Sequence, residues 1–297
     1  MDRERELWLY LLIVFAVVNV STASILVRLA GVHGFVAATW RLIIGSALTL
    51  VLAILSGQIP HSWDRTELLL ASASGVALAL HFGLWMMSLK HLPVGISVTI
   101  VDSYPALLAI VGSRLFNETY TGVQLVGAGL AMLGVAALAM HSSSSGLAPA
   151  GGNPLLGSVL SFSGMIAVAV YFIIGKRLRR SRGTFEYTLI AYTVAALAGA
   201  LICGASGLSL TGYTRTTYVY LLLLGLLPML GGHTVINYVL KRLSLLSATI
   251  PVLGEPVGAS ILAYIILHEP LDKASILLMA LTLTGIALTL LGEQRKG

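Results

Sequence analysis

Ten stretches of about 20 residues run through this chain of 297 residues almost without charge. A bilayer core is about 30 Å thick, and a helix of roughly 20 apolar residues crosses it with its backbone groups bonded internally. The stretches are Leu7 to Val27, Phe35 to Leu55, Leu68 to Leu89, Val94 to Ser113 and Val123 to Met140 in the first half of the chain. Leu155 to Ile174, Phe185 to Cys203, Tyr218 to Leu240, Leu245 to Leu267 and Ala274 to Leu291 follow in the second. Charged residues are only 10% of the composition and the mean hydropathy is +0.92, too few polar groups to cover a water-facing surface. A soluble enzyme is excluded. The first stretch is longer than the apolar core of a signal peptide and lacks an Ala-x-Ala exit, so it is expected to stay as a span.

An even number of spans puts both termini on one side. Thirteen Lys and Arg fall in the segments on that side, four in the opposite loops, and Arg41 lies inside the second span. By the positive-inside rule both termini are cytoplasmic, in an inner membrane. The net charge of +6 is thereby a matter of topology, and nucleic acid is not an expected partner. A single cysteine, Cys203, allows no internal disulfide and no Cys-rich metal site. There is no phosphate-binding G-x-x-x-x-G-K-[ST], no H-E-x-x-H and no G-x-S-x-G, so neither ATP-driven work nor hydrolysis finds its usual residues. No cofactor, no metal and no enzymatic activity are expected, and nothing resembles a channel filter.

A polar stretch, residues 142–154, falls near the midpoint and reads as a linker between a first repeat, 1–141, and a second, 155–297. Shifted by 151 residues without gaps, the first half lays Leu89-Lys90 on Leu240-Lys241, Pro105 on Pro256, Glu118 on Glu269 and Gly134 on Gly285. Five spans per half, an odd number, would make the second copy enter from the other face. The expected fold is all-α: ten transmembrane helices as two inverted five-helix repeats around a central cavity. Transporters use this arrangement to place a site at the repeat interface near the midplane.

The segment Pro251-Val-Leu-Gly-Glu-Pro-Val-Gly-Ala-Ser-Ile-Leu-Ala-Tyr resembles the hallmark of EamA-type members of the drug/metabolite transporter superfamily. A weaker copy stands at Ser103-Tyr-Pro-Ala-Leu-Leu-Ala-Ile-Val-Gly-Ser-Arg-Leu-Phe-Asn-Glu, and Arg41 after Ala37-Ala-Thr-Trp is similar to that family's second-helix arginine. The resemblance covers essentially the whole chain. It implies a ten-helix basket whose third, fourth, eighth and ninth helices surround the cavity, helped by the first and sixth. It also implies export of amino acids, other metabolites or drugs, with bacterial aromatic amino-acid exporters closest in size and layout.

Ionisable side chains in hydrocarbon cost about 2.5–3.5 kcal/mol at a helix centre, so each one needs a reason. Asp102 lies near mid-depth in the fourth span, three residues before Pro105, and Glu255 at similar depth in the ninth, directly before Pro256. Proline removes a backbone hydrogen bond, so both helices should be kinked beside these acids. One reading gives them a substrate ammonium group or a coupling proton; the other makes them a neutral structural pair. His81 and His233 occupy corresponding places, either as proton relay and carboxylate donors or as satisfied packing residues. The stripes His81, Trp85, Ser88 and His233, Asn237, Lys241 each follow one helix face and should point inward. Trp85 and Tyr104 could stack on a substrate or simply pack, and Asn19 and Tyr171 add polarity to the first and sixth spans. Arg41 either snorkels to the outer interface or pairs with an interior acid or a substrate carboxylate. Glu118 and Glu269 read as capping anchors, and the run Lys176 to Arg182 as a cytoplasmic loop touching anionic lipid.

Together these readings point to a secondary transporter exporting small metabolites, amino acids first, by alternating access. The expected partners are a zwitterionic small molecule and the bilayer, and one chain holds both halves, so a monomer suffices. Drug-like cations, sugars or nucleosides are the alternative substrates, and a non-transporting scaffold or membrane enzyme is the alternative class. The topology is directly testable in a Cys203→Ala background. An impermeant maleimide applied to intact cells should label Ser209→Cys, and should reach Ser181→Cys only after permeabilisation. The reverse pattern would contradict the orientation.

Overall fold

The computed structural model describes residues 3–92, 94–144, 151–267 and 272–294, and every regular element among them is helical. The first half contains α1 (Arg3–Val20), α2 (Ala23–Ala30), α3 (Gly34–Leu55), α4 (Arg65–Ser88), α5 (Val94–Val101), α6 (Tyr104–Leu115) and α7 (Gly122–Ser144). The second contains α8 (Pro154–Leu178), α9 (Thr184–Ala205), α10 (Arg215–Leu224), a π-helical stretch Gly225–Thr234 and α11 (Val235–Leu240). It closes with α12 (Leu245–Thr249), a 3-10 stretch Ile250–Gly254, α13 (Glu255–Leu267) and α14 (Lys273–Gln294).

Where ten spans were expected, nine helices among the described residues are long and apolar enough to cross a membrane. The expected fifth span corresponds to a shorter apolar helix, Gly122–Leu138. Residues 145–150 of the expected linker lie outside the described residues, and α7 takes in Ser142–Ser144. Glu269, and with it the expectation of a second capping anchor, also lies outside them. Large apolar side chains such as Leu55, Leu115 and Leu201 point outward, as lipid contact requires.

Four rods are interrupted, and each interruption has a covalent or hydroxyl cause. Proline at position i has no N–H for the carbonyl at i−4 and collides with it. α5 accordingly ends at Val101, four residues before Pro105, and α10 ends at Leu224, four before Pro228. Pro251 is the second residue of the 3-10 stretch and Pro256 the second of α13. Between α1 and α2 the Ser21 hydroxyl donates to the Val17 carbonyl at 2.8 Å and Thr22 to that of Asn19 at 2.7 Å, competing with backbone amides. The kinks expected beside Asp102 and Glu255 are therefore present, as full breaks in the α-helix.

The elements of the two halves start in step. Tyr104 and Glu255, the first residues of α6 and α13, are 151 residues apart, and so are Gly122 and Lys273, which open α7 and α14. Packing crosses between the halves: α3 lies on α9, α4 on α8 and α9, α7 on α14, and α1 on the π-helical stretch. α7 and α14 approach closely because a Cβ on Gly285 would collide with the backbone of Gly127 and Ala131.

Polar contacts close the end of the bundle that carries most of the Lys and Arg. Arg182 pairs with Glu67 and, at 3.5 Å, with Glu186, whose Oε1 also accepts from Trp63 Nε1 at 2.8 Å. Glu118 accepts the Leu245 amide at 2.8 Å at the start of α12 and pairs with Lys176 at 3.3 Å, so its expected role as an anchor is present. Glu293 on α14 accepts from Gln124 Nε2 at 2.6 Å and from the Ser244 amide at 3.0 Å. At the opposite end Asp272 accepts the Ser275 amide at 2.8 Å and bonds His141 Nε2 at 2.6 Å. These bonds hold its carboxyl down to about 2.

Candidate functional site

The broken rods converge on one point. Asp102 and Tyr104 flank the break after α5, Glu255 is the first residue of α13, His233 sits in the π-helical stretch, and Val20 ends α1. α3 contributes Arg41, and α4 contributes His81, Phe82 and Trp85 on successive turns. Backbone interruptions cost helix hydrogen bonds, and in a membrane they persist only where protein or a cavity receives the freed groups. Here Arg41 Nη2 donates to the Pro228 carbonyl at 3.1 Å.

Arg41 is 1% exposed and its guanidinium carbon stands 3.9 Å from the centroid of the Phe82 ring. The snorkelling alternative is thereby corrected: a planar guanidinium gains more from an aromatic face and the Pro228 carbonyl than from reaching out past α3. No ion pair within 4 Å joins it to a carboxylate among the described residues, although Asp102 and Glu255 line the same cavity. His81 Nδ1 donates to the Gly164 carbonyl at 3.0 Å, which ties α4 to α8. Its ring stacks on Trp85 with centroids 6.4 Å apart and lies 6.0 Å from His233.

Five buried polar atoms around this cavity have no hydrogen-bond partner: Arg41 Nε and Nη1, Trp85 Nε1, Asp102 Oδ2 and His233 Nδ1. An unsatisfied buried group costs about 1–3 kcal/mol, more if charged, so five in one place need a compensating purpose. The enclosed space is about 10 Å³, room for about one water molecule. This conformation is closed around its polar groups and admits no larger solute.

Of the residues singled out in the sequence, Arg41, His81, Trp85, Asp102, Tyr104, His233 and Glu255 line this cavity. Tyr104 also packs its ring on Phe172 at 5.4 Å. Asn19, Tyr171 and Asn237 do not line it. Asn19 bonds the Phe15 carbonyl at 2.8 Å and faces a lateral groove. Asn237 Nδ2 donates to Tyr171 Oη at 2.7 Å and to the His233 carbonyl at 2.7 Å, one turn away from the cavity. Within the expected stripes Ser88 and Asn237 are buried, as an inward face requires, and Lys241 is not. Ser88 bonds the Trp85 carbonyl and Ser97, and Lys241 is exposed, donating to the Arg182 carbonyl at 3.2 Å. Asn237 lies one turn beyond His233 in α11, past the level of the cavity.

Phe82 and Arg179 were not legible as special. Phe82 is one apolar residue among many. Arg179 belongs to a basic run expected as a loop, but α8 continues to Leu178 and the Arg179 side chain is 1% exposed. That expectation is corrected for Lys176, Arg177 and Arg179. The available signal was Gly175, one turn earlier: a Cβ there would lie 2.7 Å from both Nη1 and Nη2 of Arg179.

The sequence model of the EamA-like transporter family matches the chain twice, over residues 7–140 and 155–291. A relative in Pseudomonas aeruginosa (strain LESB58) is the probable 4-amino-4-deoxy-L-arabinose-phosphoundecaprenol flippase subunit ArnF. It is 28% identical over 127 residues, covering 40% of this chain and 91% of that protein. The ArnF of Pseudomonas paraeruginosa (strain DSM 24068 / PA7) is 28% identical over 125 residues, covering 37% and 90%. A protein of known crystal structure superposes with a TM-score of 0.75 at 18% identity, over 96% of this chain and 98% of the other, a likeness of fold.

If Asp102 and Glu255 are held for a ligand and not for the fold, removing their charge does not weaken the protein. Asp102→Asn and Glu255→Gln are expected to melt at the same temperature as the wild type in detergent, or higher. A fall of more than about 5 °C, on the order of 1–2 kcal/mol, would mark either acid as a structural partner.

Proposed function

The chain belongs to the EamA-like transporter family, and from that premise we propose that it is a secondary transporter exporting amino acids by alternating access. Membership makes it a multi-pass membrane protein that carries a small-molecule substrate. The reading as an amino-acid carrier rests on one observation, the unpartnered atoms of Arg41, Trp85, Asp102 and His233 facing a common cavity with Glu255. Guanidinium and indole N–H groups fit a carboxylate, carboxylates fit an ammonium, and Phe82, Trp85 and Tyr104 supply an apolar wall. A zwitterion satisfies both signs at once, at places where each buried charge alone is costly.

The remaining parts of the proposal are a ten-span chain of two inverted halves, 1–141 and 155–297 joined by 142–154, with both termini cytoplasmic in an inner membrane. The two family matches, the common offset of 151 residues and the crossed packing of α3 on α9 support it. Asp102 and Glu255 are assigned the ammonium or a coupling proton, with Arg41, Trp85 and His233 on the carboxylate and His81 holding α4 to α8. A single chain suffices, and no cofactor is needed.

A second reading, a lipid-linked amino sugar, is favoured by the ArnF relatives. Apolar grooves of about 450 and 660 Å³ on either side of α1 open toward lipid and would accommodate a chain beside a polar head. An amino sugar joined to phosphate carries the same two charges as an amino acid.

The test is uptake and counterflow in proteoliposomes across amino acids, amines, sugars and nucleosides. Saturable amino-acid flux that falls at least about tenfold in Asp102→Asn and Glu255→Gln is the expected result. Flux of sugars alone, or of nothing on the panel from folded protein, would overturn the amino-acid reading.

A further inference from the structure

A second buried cation lies one turn beyond the central cavity. Arg179, at the C-terminal end of α8, turns its side chain back over Gly175 into the bundle. Its guanidinium lies on the Tyr187 ring, 4.7 Å from the centroid, and Nη1 donates to Asn237 Oδ1. Nε and Nη2 have no hydrogen-bond partner. No carboxylate among the described residues comes within 4 Å.

A purely structural role does not account for this. The last carbonyls of α8 offer a partial negative charge, on the order of half an electron, and Tyr187 offers a π face. Neither fills Nε or Nη2, and an apolar side chain of similar volume would fit between the tyrosines without an uncompensated charge. Of the nearby hydroxyls, Tyr187 donates to the Tyr171 carbonyl at 3.3 Å and bonds Ser74 at 2.5 Å, and Tyr171 accepts from Asn237. A guanidinium with Nε and Nη2 left unpaired, lying on an aromatic ring and tied to an amide, has the form of an oxyanion receptor.

We propose that Arg179, with Asn237 and Tyr171 beside it, is a second anion subsite that takes the carboxylate or phosphate group of the solute. Asn237 links it to the central cavity, since its Nδ2 also donates to the carbonyl of His233. The subsite lies at the end closed by Arg182 with Glu67 and by Lys176 with Glu118, so it meets solute when those pairs separate. The assignment rests on the transporter reading for its purpose, but its test is binding and not flux.

Melting temperature of the purified protein in detergent is measured against rising acetate and, separately, phosphate, at ionic strength matched with chloride. The stabilisation by at least one of them should weaken at least about tenfold in apparent affinity in Arg179→Gln. Arg179→Lys should keep part of it, and Arg180→Gln, which removes the same charge from an exposed neighbour, all of it. The preferred anion tells a carboxylate subsite from a phosphate one. Equal titrations in wild type and Arg179→Gln, no stabilisation by either anion, or equal losses in the two glutamine variants would overturn the proposal. If Arg179→Gln does not fold, Arg179→Lys against Arg180→Lys decides: equal affinity for both anions in the two would overturn it. Loss confined to Arg41→Gln would leave the central site and remove this one, whereas absent flux with an intact Arg179 effect would sink the transport reading alone.

Discussion

Inside hydrocarbon, a polar group without a partner has no water to fall back on, and this constraint governs the whole interior. The chain satisfies it almost everywhere. Ser and Thr hydroxyls return to their own helix carbonyls, Asn237 uses its amide on Tyr171 and His233, and Glu118 and Glu293 take up amides and hydroxyls at helix ends. Among the described residues the exceptions are concentrated in the cavity around Arg41, Trp85, Asp102 and His233, and at Arg179, with the Ser24 and Thr49 hydroxyls the two outside these places. Concentrated dissatisfaction in an otherwise satisfied interior is the mark of groups kept for a ligand.

The breaks in the helices make that concentration possible. A continuous helix would spend its backbone carbonyls internally and carry its side chains past the midplane at fixed angles. The prolines at 105, 228, 251 and 256 remove those bonds at chosen levels and bring Asp102 and Glu255 to the ends of short segments, while the Pro228 carbonyl in the π-helical stretch accepts from Arg41. The same short segments are where the backbone can change angle at least cost. Closure at one end is held by side-chain pairs, Arg182 with Glu67 and Lys176 with Glu118, which are individually weak and separable.

Much of this was legible in the sequence because apolar length and proline position act locally. The spans, the breaks beside Asp102 and Glu255, and seven residues of the cavity wall follow from hydropathy and from the rarity of charge in hydrocarbon. The misses arise where register or tertiary packing decides. Asn237 and Lys241 lie one and two turns beyond His233, past the cavity, where Asn237 bonds Tyr171 and Lys241 reaches the Arg182 carbonyl. Arg179 is drawn inward by the space above Gly175 and by the Tyr187 ring, both invisible in a run of basic residues. Asn19 reads as polar and therefore central, but its amide is absorbed by the Phe15 carbonyl.

The central claim is that the cavity receives two opposite charges on one small molecule. It is tested most directly by comparing the binding of phenylalanine, phenethylamine and hydrocinnamate, which share a ring and differ in which charges they carry, through the melting temperature of the purified protein. Phenylalanine should bind, with each single-charge analogue weaker by at least about tenfold. Absence of phenylalanine binding, or equal binding of either analogue, would contradict a zwitterion site.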